Sequence, residues 1–549
     1  MTTGPQLVKE LHRALNQRNV SVGFDLLDRT EGVWSRLLPA QAHAAELLLL
    51  LAEWVDAGYR DYPLLDPLLK QFPVECRPGL RLDGYLRLRL VEGFRALCAE
   101  EVDTAIEIFD FVLRAEPEAA GEELCTLAHF WKGRALRKKG EYEAAFSEIV
   151  AARELAQRSS ENAMFTAVIH IHEAWLLFQK GMKKEALRLL AEAEKTLKAS
   201  DHSLALGNIE SARGRIVRRA GEYAKALEHF DRAIAIYSEG SPNHRNLART
   251  LVNAAHVKRL LALQLRKRID ARARNPKTPR SMMHSATTLS PLPSPQARYQ
   301  QLCQEAMLQL RQAREIYLLH GHSSGLGAVV VNSGYLHLDG GDIDRAAGEA
   351  QEAYRIGQEK HDSILMARAR VLQTATENAR VEEQLGEDVD IALHANLAKQ
   401  FSEEALALAK HTQNRRLIAS ANIARGMTAA NEFFLEWDLA KRCASEASDQ
   451  IGAGENDHLL DDLAALKSHI MQASGMNDTL RGWSEGMVGE KTFQQITEEF
   501  AEIVIPKVWL REGRKISRVA ECLSISPKKV RRILRNGGFL DSFGVARGH

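Results

Sequence analysis

Five cations crowd one short stretch near the end of the sequence: Lys528, Lys529, Arg531, Arg532 and Arg535, preceded by Ser526 and with no acidic residue among them. At helical spacing they share the face opposite Val530, Ile533 and Leu534. A helix face of this kind can neutralise backbone phosphates in a DNA major groove. DNA is therefore the first expected partner.

A second set of polar residues, Asn253, Asn332, Gln373 and Asn422, stands at one phase of four helical segments, as in Val330-Val331-Asn332-Ser333-Gly334. Such an amide ladder can hydrogen-bond the backbone of an extended peptide whatever its side chains, and carboxamides in the same place can also cap neighbouring helices. A third set, His170-Ile171-His172-Glu173, holds two histidines two positions apart. On a helix these point to different faces, which argues for packing or surface roles rather than a metal. Cys76, Cys98, Cys125, Cys303, Cys443 and Cys522 are isolated and mostly flanked by apolar residues, so they read as buried thiols rather than zinc ligands. The sequence has no GxxxxGK, no GxGxxG in a strand-helix context and no HExxH. The expectation is a chain that is not an enzyme and uses neither cofactor nor metal.

The elements around the basic stretch are legible from spacing. Val519, Ala520 and Leu523 form the inner face of one short helix, and Val530, Ile533 and Leu534 that of the next. Between them, Ser524-Ile525-Ser526 makes a turn that buries Ile525, and Ser526-Pro527 supplies an N-cap followed by proline at the first helical position. With the lead-in Thr492 to Phe500, the segment from about 490 to 540 resembles the Fis-type helix-turn-helix domain of bacterial enhancer-binding activators. That resemblance implies DNA binding by the second helix and dimerisation through the lead-in, where Phe493, Ile496, Phe500, Ile503 and Val504 offer an apolar seam. Serine stands at 524 where the family usually has glycine, which carries a modest left-handed strain cost. Pro506 is expected to kink or split the lead-in helix.

Upstream, small residues recur in a fixed frame. Gly133, Gly140-Glu141-Tyr142 and Ala145 return as Ala174, Gly181 and Ala186, then as Gly214, Gly221-Glu222-Tyr223 and Ala226, and again as Gly334, Gly341-Asp342-Ile343 and Ala346. An earlier copy holds Gly93, Ala105, Phe109 and Pro117. These resemble tetratricopeptide repeats, in which small residues let paired helices approach closely. The second-helix alanines lie at 105, 145, 186, 226, 306, 346, 398 and 440, a period near 40. The standard repeat has about 34 residues. The longer period resembles the tetratricopeptide-like sensor domains of large bacterial activators, and the amides resemble those of peptide-sensing regulators. The resemblance implies an all-α superhelix of about eight repeats with a protein or peptide effector on its concave surface.

Composition sets the remaining bounds. The chain has 549 residues, 45% apolar and 26% charged, and a net charge of +1. Residues 505–549 hold 11 Lys and Arg against 3 Asp and Glu, and residues 266–280 hold 7 against 1, which leaves −13 for the rest. The second basic segment belongs to a Pro-rich insertion at about 266–296, with Pro276, Pro279, Pro291, Pro293 and Pro295, whose composition predicts a disordered loop with Arg266, Lys267, Arg268, Arg272 and Arg274 in solvent or against phosphate. A smaller acidic insert lies around Glu382 to Asp390. The longest apolar run, Leu47 to Leu51, is far too short for a signal peptide or a membrane span, so a reducing, cytoplasmic location is expected. The expected organisation is a helical cap at 1–75, repeats at 76–475, a helix-turn-helix domain at 488–540 and a tail at 541–549. The function these readings imply is a dimeric DNA-binding regulator with an effector-sensing superhelix. A scaffold for other proteins with weak nonspecific nucleic-acid binding is the alternative.

Overall fold

The computed structural model describes residues 4–41, 43–274, 294–383, 391–452, 454–473, 483, 486, 489, 491–536 and 539–540. The chain divides into two compact units, residues 1–463 and 464–549. Among the described residues every regular element is helical, and no helix is long and apolar enough to cross a membrane.

The first unit opens with α1 (Gly4–Asn16), α2 (Val20–Arg29), α3 (Glu31–Trp34), α4 (Ala44–Asp56) and α5 (Leu65–Leu69). Eight antiparallel pairs follow: α6 (Leu82–Cys98) with α7 (Val102–Leu113), α8 (Pro117–Lys139) with α9 (Tyr142–Ala156), α10 (Ala163–Gln179) with α11 (Lys183–Leu197), and α12 (Ser203–Arg219) with α13 (Tyr223–Gly240). The next four are α14 (Arg245–Arg274) with α15 (Pro295–Leu319), α16 (Ser323–Asp339) with α17 (Ile343–Glu359), α18 (Ser363–Glu383) with α19 (Ile391–Lys410), and α20 (Arg415–Ala429) with α21 (Trp437–Gln450). A further helix, α22 (His458–Ala473), follows in the chain and crosses the boundary between the two units. This is the all-α tetratricopeptide-like superhelix that the repeat frame predicts.

The frame works through size. All eight second-helix alanines, from Ala105 to Ala440, have no exposed surface. A Cβ placed on Gly214 would stand 2.6 Å from the ring of Phe230, so the paired helices approach as closely as they do only because that position lacks one. Gly140, Gly181, Gly221 and Gly341 have φ between +79° and +94° and end the first helices, a backbone conformation that suits glycine.

Residues far apart in sequence then meet. The backbone N–H of Gln413 donates to the carbonyl of Gly140 at 3.1 Å, and that of Asn456 donates to the carbonyl of Arg219 at 2.8 Å. His320 Nδ1 lies 2.6 Å from Asp61 Oδ2, and the Glu100 carboxylate accepts from the N–H groups of Ser323 and Ser324 at 2.9 and 3.2 Å. Within this unit the superhelix thus returns onto itself and encloses its inner face.

The insertion is shorter than expected. α14 continues as helix to Arg274 and α15 begins at Pro295, with Ser294 accepting from the N–H of Ala297 at 3.1 Å as N-cap. Arg266, Lys267 and Arg268 therefore belong to a helix, not a loop: the guanidinium of Arg266 donates to the carbonyl of Asp339, and Lys267 Nζ stands 3.5 Å from Asp461. Arg and Lys are good helix formers, and they carry the pattern on until proline intervenes. The Pro-rich core of the insertion and most of the acidic insert lie outside the described residues.

The second unit contains α23 (Phe493–Arg511), α24 (Ile516–Cys522) and α25 (Pro527–Asn536). Thr492 and Gln495 form a reciprocal capping box at the start of α23. Pro506 does not split that helix; its ring is buried beside Ile505 and Trp509 within one continuous α23. Val519, Val530 and Leu534 are fully buried against Val508 and Trp509, while Ile525 is half-buried. Ser524 has φ +50°, the left-handed turn conformation that the resemblance implies at this position.

Candidate functional sites

The six expected DNA-facing residues fall on or beside α25. Ser526 caps it, accepting from the N–H of Lys529 at 3.2 Å, and is thereby used within the fold. Lys528, Arg531 and Arg535 are exposed and Lys529 is half-buried. Arg532 differs, because its guanidinium donates to both oxygens of Glu498 on α23 at 2.6 and 2.9 Å. Among the described residues the free cationic face is thus Lys528, Lys529, Arg531 and Arg535, held rigid by the burial of Val530, Ile533 and Leu534 beneath it.

The four amides each make hydrogen bonds within the fold. Asn253, Asn332 and Asn422 each donate to the backbone carbonyl one turn back in their own helix, at 2.8, 2.7 and 3.2 Å. Gln373 donates to Gln351 at 2.7 Å and accepts from Arg370 at 2.7 Å. Asn332, Gln373 and Asn422 are buried. Buried carboxamides need partners, and here the helix itself provides most of them. Cys98 and Cys443 are buried as expected, whereas Cys522 is exposed on α24.

The inner face of the first unit holds a site that the sequence reading missed. A cavity of about 340 Å³ is lined by α6, α8, α10, α12 and α14 together with Asp56 at the end of α4. Six cations face it, Arg134, Arg137, Lys138, Arg215, Arg245 and Arg249, against the single carboxylate of Asp56. Asp56 is already engaged by Arg134 at 2.6 and 2.7 Å and by Trp131 Nε1 at 3.1 Å. Arg249 donates to Asn208 at 3.1 Å, Lys138 to the carbonyl of Leu97 at 3.3 Å, and Arg245 stands 3.9 Å from Asp61.

Among the described residues Arg137 and Arg215 have no carboxylate partner. Arg137 stacks over Trp175 at 5.2 Å and lies 3.4 Å from His172 Nδ1. The Nε atoms of Arg215 and Arg249 are buried without a hydrogen-bond partner. Burial, with repulsion from Arg249 and Arg134, pushes Arg137 down to about 9. Burial and the Arg249 and Arg137 charges likewise push Arg215 well below the ordinary guanidinium range. A guanidinium with a pKa near 9 still carries its charge at neutral pH, so the repulsion is held in the folded protein. Burial drives His202, His244 and His322 down to about 3 and His172 well below its usual value, so the imidazoles in the wall are neutral. Of the histidine pair, His172 lines this cavity and His170 a separate pocket beside Glu192, on different faces as the spacing predicts.

A signal for this cavity exists in the sequence. In four copies of the frame the residue after the small first-helix position lines it: Phe94 after Gly93, Arg134 after Gly133, Trp175 after Ala174 and Arg215 after Gly214.

Comparison with known proteins places the tetratricopeptide repeat family on residues 206–264, which span α12, α13 and part of α14. No curated protein matches the chain. Among solved structures it is similar to a Rap protein complexed with Competence and Sporulation Factor, at 12% identity and TM-score 0.44, covering 74% of this chain and 100% of that one. It is similar also to an IFIT1 monomeric mutant with Gppp-AAAA, at 13% identity and TM-score 0.45, covering 82% and 95%. A third similar structure is the apo form of the quorum sensor NprR from B. thuringiensis, at 14% identity and TM-score 0.36, covering 82% and 98%.

Proposed function

We propose that the chain is a DNA-binding transcriptional regulator, with α25 of the second unit as its DNA-reading helix in a Fis-type helix-turn-helix and the repeat unit as its effector receiver. The observation that carries this reading is the exposed face of α25, where Lys528, Arg531 and Arg535 project from a helix whose opposite side is fully packed. A helix so seated can enter a major groove without losing buried contacts. In this reading the protein is not an enzyme, and its partners are operator DNA and an effector on the inner face of the repeats.

Selection of bound fragments from genomic DNA by the purified full chain tests the proposal. Enrichment of one sequence motif supports a regulator. Recovery of fragments without any shared motif, with affinity that vanishes at physiological salt, overturns it in favour of a scaffold with nonspecific binding.

A further inference from the structure

The cavity in the first unit carries a stronger statement about its occupant than its size alone would. Unpaired buried charge is unfavourable, and proteins ordinarily neutralise it with a partner or relinquish it. Here the first helices of successive repeats bring Arg137, Arg215 and Arg249 together around one space, and the sole carboxylate in the wall is committed to Arg134. Nothing in the local fold uses Arg215: among the described residues it has no hydrogen bond and no ion pair, and its Nε is buried. Such an arrangement stabilises neither the free unit nor a neutral ligand. It suits a ligand that brings several negative charges into a small volume.

We propose that this cavity binds an oligophosphate ester of nucleotide size, with its phosphate chain on Arg137, Arg215 and Arg249. Three features favour phosphate over an acidic peptide. The guanidinium fork matches phosphate oxygens in paired hydrogen bonds. Each phosphate brings up to two charges, whereas a peptide brings one per acidic residue together with a backbone that must also be accommodated. The cavity, at about 340 Å³, lies at the small end of the range for small-molecule sites of roughly 300–1,000 Å³. The wall beside the cations holds Phe130, Trp175 and Tyr317, apolar and aromatic surface against which the rest of such a ligand can lie.

The proposal gives the effector of the regulator reading a chemical class, and it is measured without DNA, so either can fail while the other stands. The experiment is thermal melting and titration calorimetry of the full chain with inorganic tripolyphosphate, with a nucleoside triphosphate and with a Glu-rich hexapeptide, each at the same ionic strength. Arg215→Gln and Arg137→Gln are measured beside the parent. The expected result is a rise in melting temperature with both phosphate probes, larger for the nucleotide if its base is read, and at least tenfold weaker binding in each variant. The free variants should melt higher than the parent, because a repelling charge has been removed; a purely structural arginine would give the opposite sign. A parent unmoved by either phosphate probe overturns the proposal. So does an undiminished response in both variants, or a hexapeptide that binds as tightly as tripolyphosphate.

Discussion

Gln413 donates its backbone N–H to the carbonyl of Gly140 and accepts the N–H of Glu143 on its side-chain oxygen at 2.8 Å, so one residue fastens the turn between the seventh and eighth helix pairs to the turn within the second pair, 273 positions earlier. With the Asn456 to Arg219 bond, this seam holds the cationic inner face enclosed. Burial in this face, with the Arg249 charge beside both, lowers the pKa of Arg137 and of Arg215.

Replacing Gln413 by alanine removes the side-chain bond and leaves the backbone bond. The expected loss is about 0.5–1.5 kcal/mol, nearer the lower end because the groups are exposed. Hydrogen exchange is the direct readout: the amide of Glu143 should exchange faster, while amides of the α12–α13 pair keep their rates. Unchanged exchange at Glu143 would mean that the seam is not a working contact.

Glu210 provides a pH test of the repeat stack. Burial alone would raise its carboxyl, but hydrogen bonds from His229 at 2.9 Å, Arg232 at 2.7 Å and Arg213 at 2.7 Å outweigh burial and pull it down to about 2. Its ordinary value is 4.5, so the stabilisation is fully present above that pH and is lost as pH falls towards 2. Glu210→Gln should therefore lower stability by about 1–3 kcal/mol at pH 7, with the gap to the parent narrowing steadily below pH 4.5. Urea unfolding at pH 7, 4.5 and 3.5 gives the three points. A gap that stays constant across them would place the effect in packing rather than in the charge.

How much of this was readable beforehand follows from the physics of each feature. The alanines at 105 through 440 were legible because close helix pairing forbids larger side chains, and that constraint is local and periodic. The left-handed turn at Ser524 was legible through the resemblance, which places glycine at that position, a residue that adopts this conformation freely. The meeting of Gly140 with Gln413 was not, since it depends on small rotations accumulated over several repeats, which no local pattern records. The cavity shared that difficulty. Arg134, Trp175 and Arg215 occupy one frame position, yet their convergence around a single space becomes visible only once the superhelix has turned. The amides stayed ambiguous for a different reason: phase alone does not say that Asn332 will bond the carbonyl of Ala328 in its own helix.

On α25, two adjacent arginines should behave differently. Arg532 is tied to Glu498 in an exposed pair with side-chain exposures of 54% and 41%, so Arg532→Ala should cost about 0–1 kcal/mol of stability in the second unit. Arg531 is exposed without a partner among the described residues and should cost nothing there. For operator binding the order reverses: Arg531→Ala should weaken affinity by about 1–3 kcal/mol if it reaches a base edge or phosphate, and Arg532→Ala by less. Gel shifts at physiological salt beside thermal melts separate the two. Equal affinity losses would show that DNA releases Arg532 from Glu498.

The apolar seam on α23 resolves into two parts. Val504 packs into the core of the second unit and Ile496 and Ile503 are half-buried, but Phe493 is 84% and Phe500 49% exposed. Two phenyl rings one α-helical face apart, seven residues being two turns, make a short hydrophobic stripe of the kind that a second copy covers. Natural helix-turn-helix proteins usually pair two such domains on half-sites about one DNA turn apart, because one helix reads only a few base pairs. A homodimer through α23 is therefore expected. Phe493→Ser with Phe500→Ser should convert it to a monomer by light scattering, without lowering the melting temperature of the isolated chain, since neither ring is buried in it. Operator affinity should fall with the loss of the second half-site while the binding of phosphate probes to the repeat unit stays unchanged. A parent chain that is monomeric both free and on DNA would remove the dimer, and the two rings would then be surface residues only.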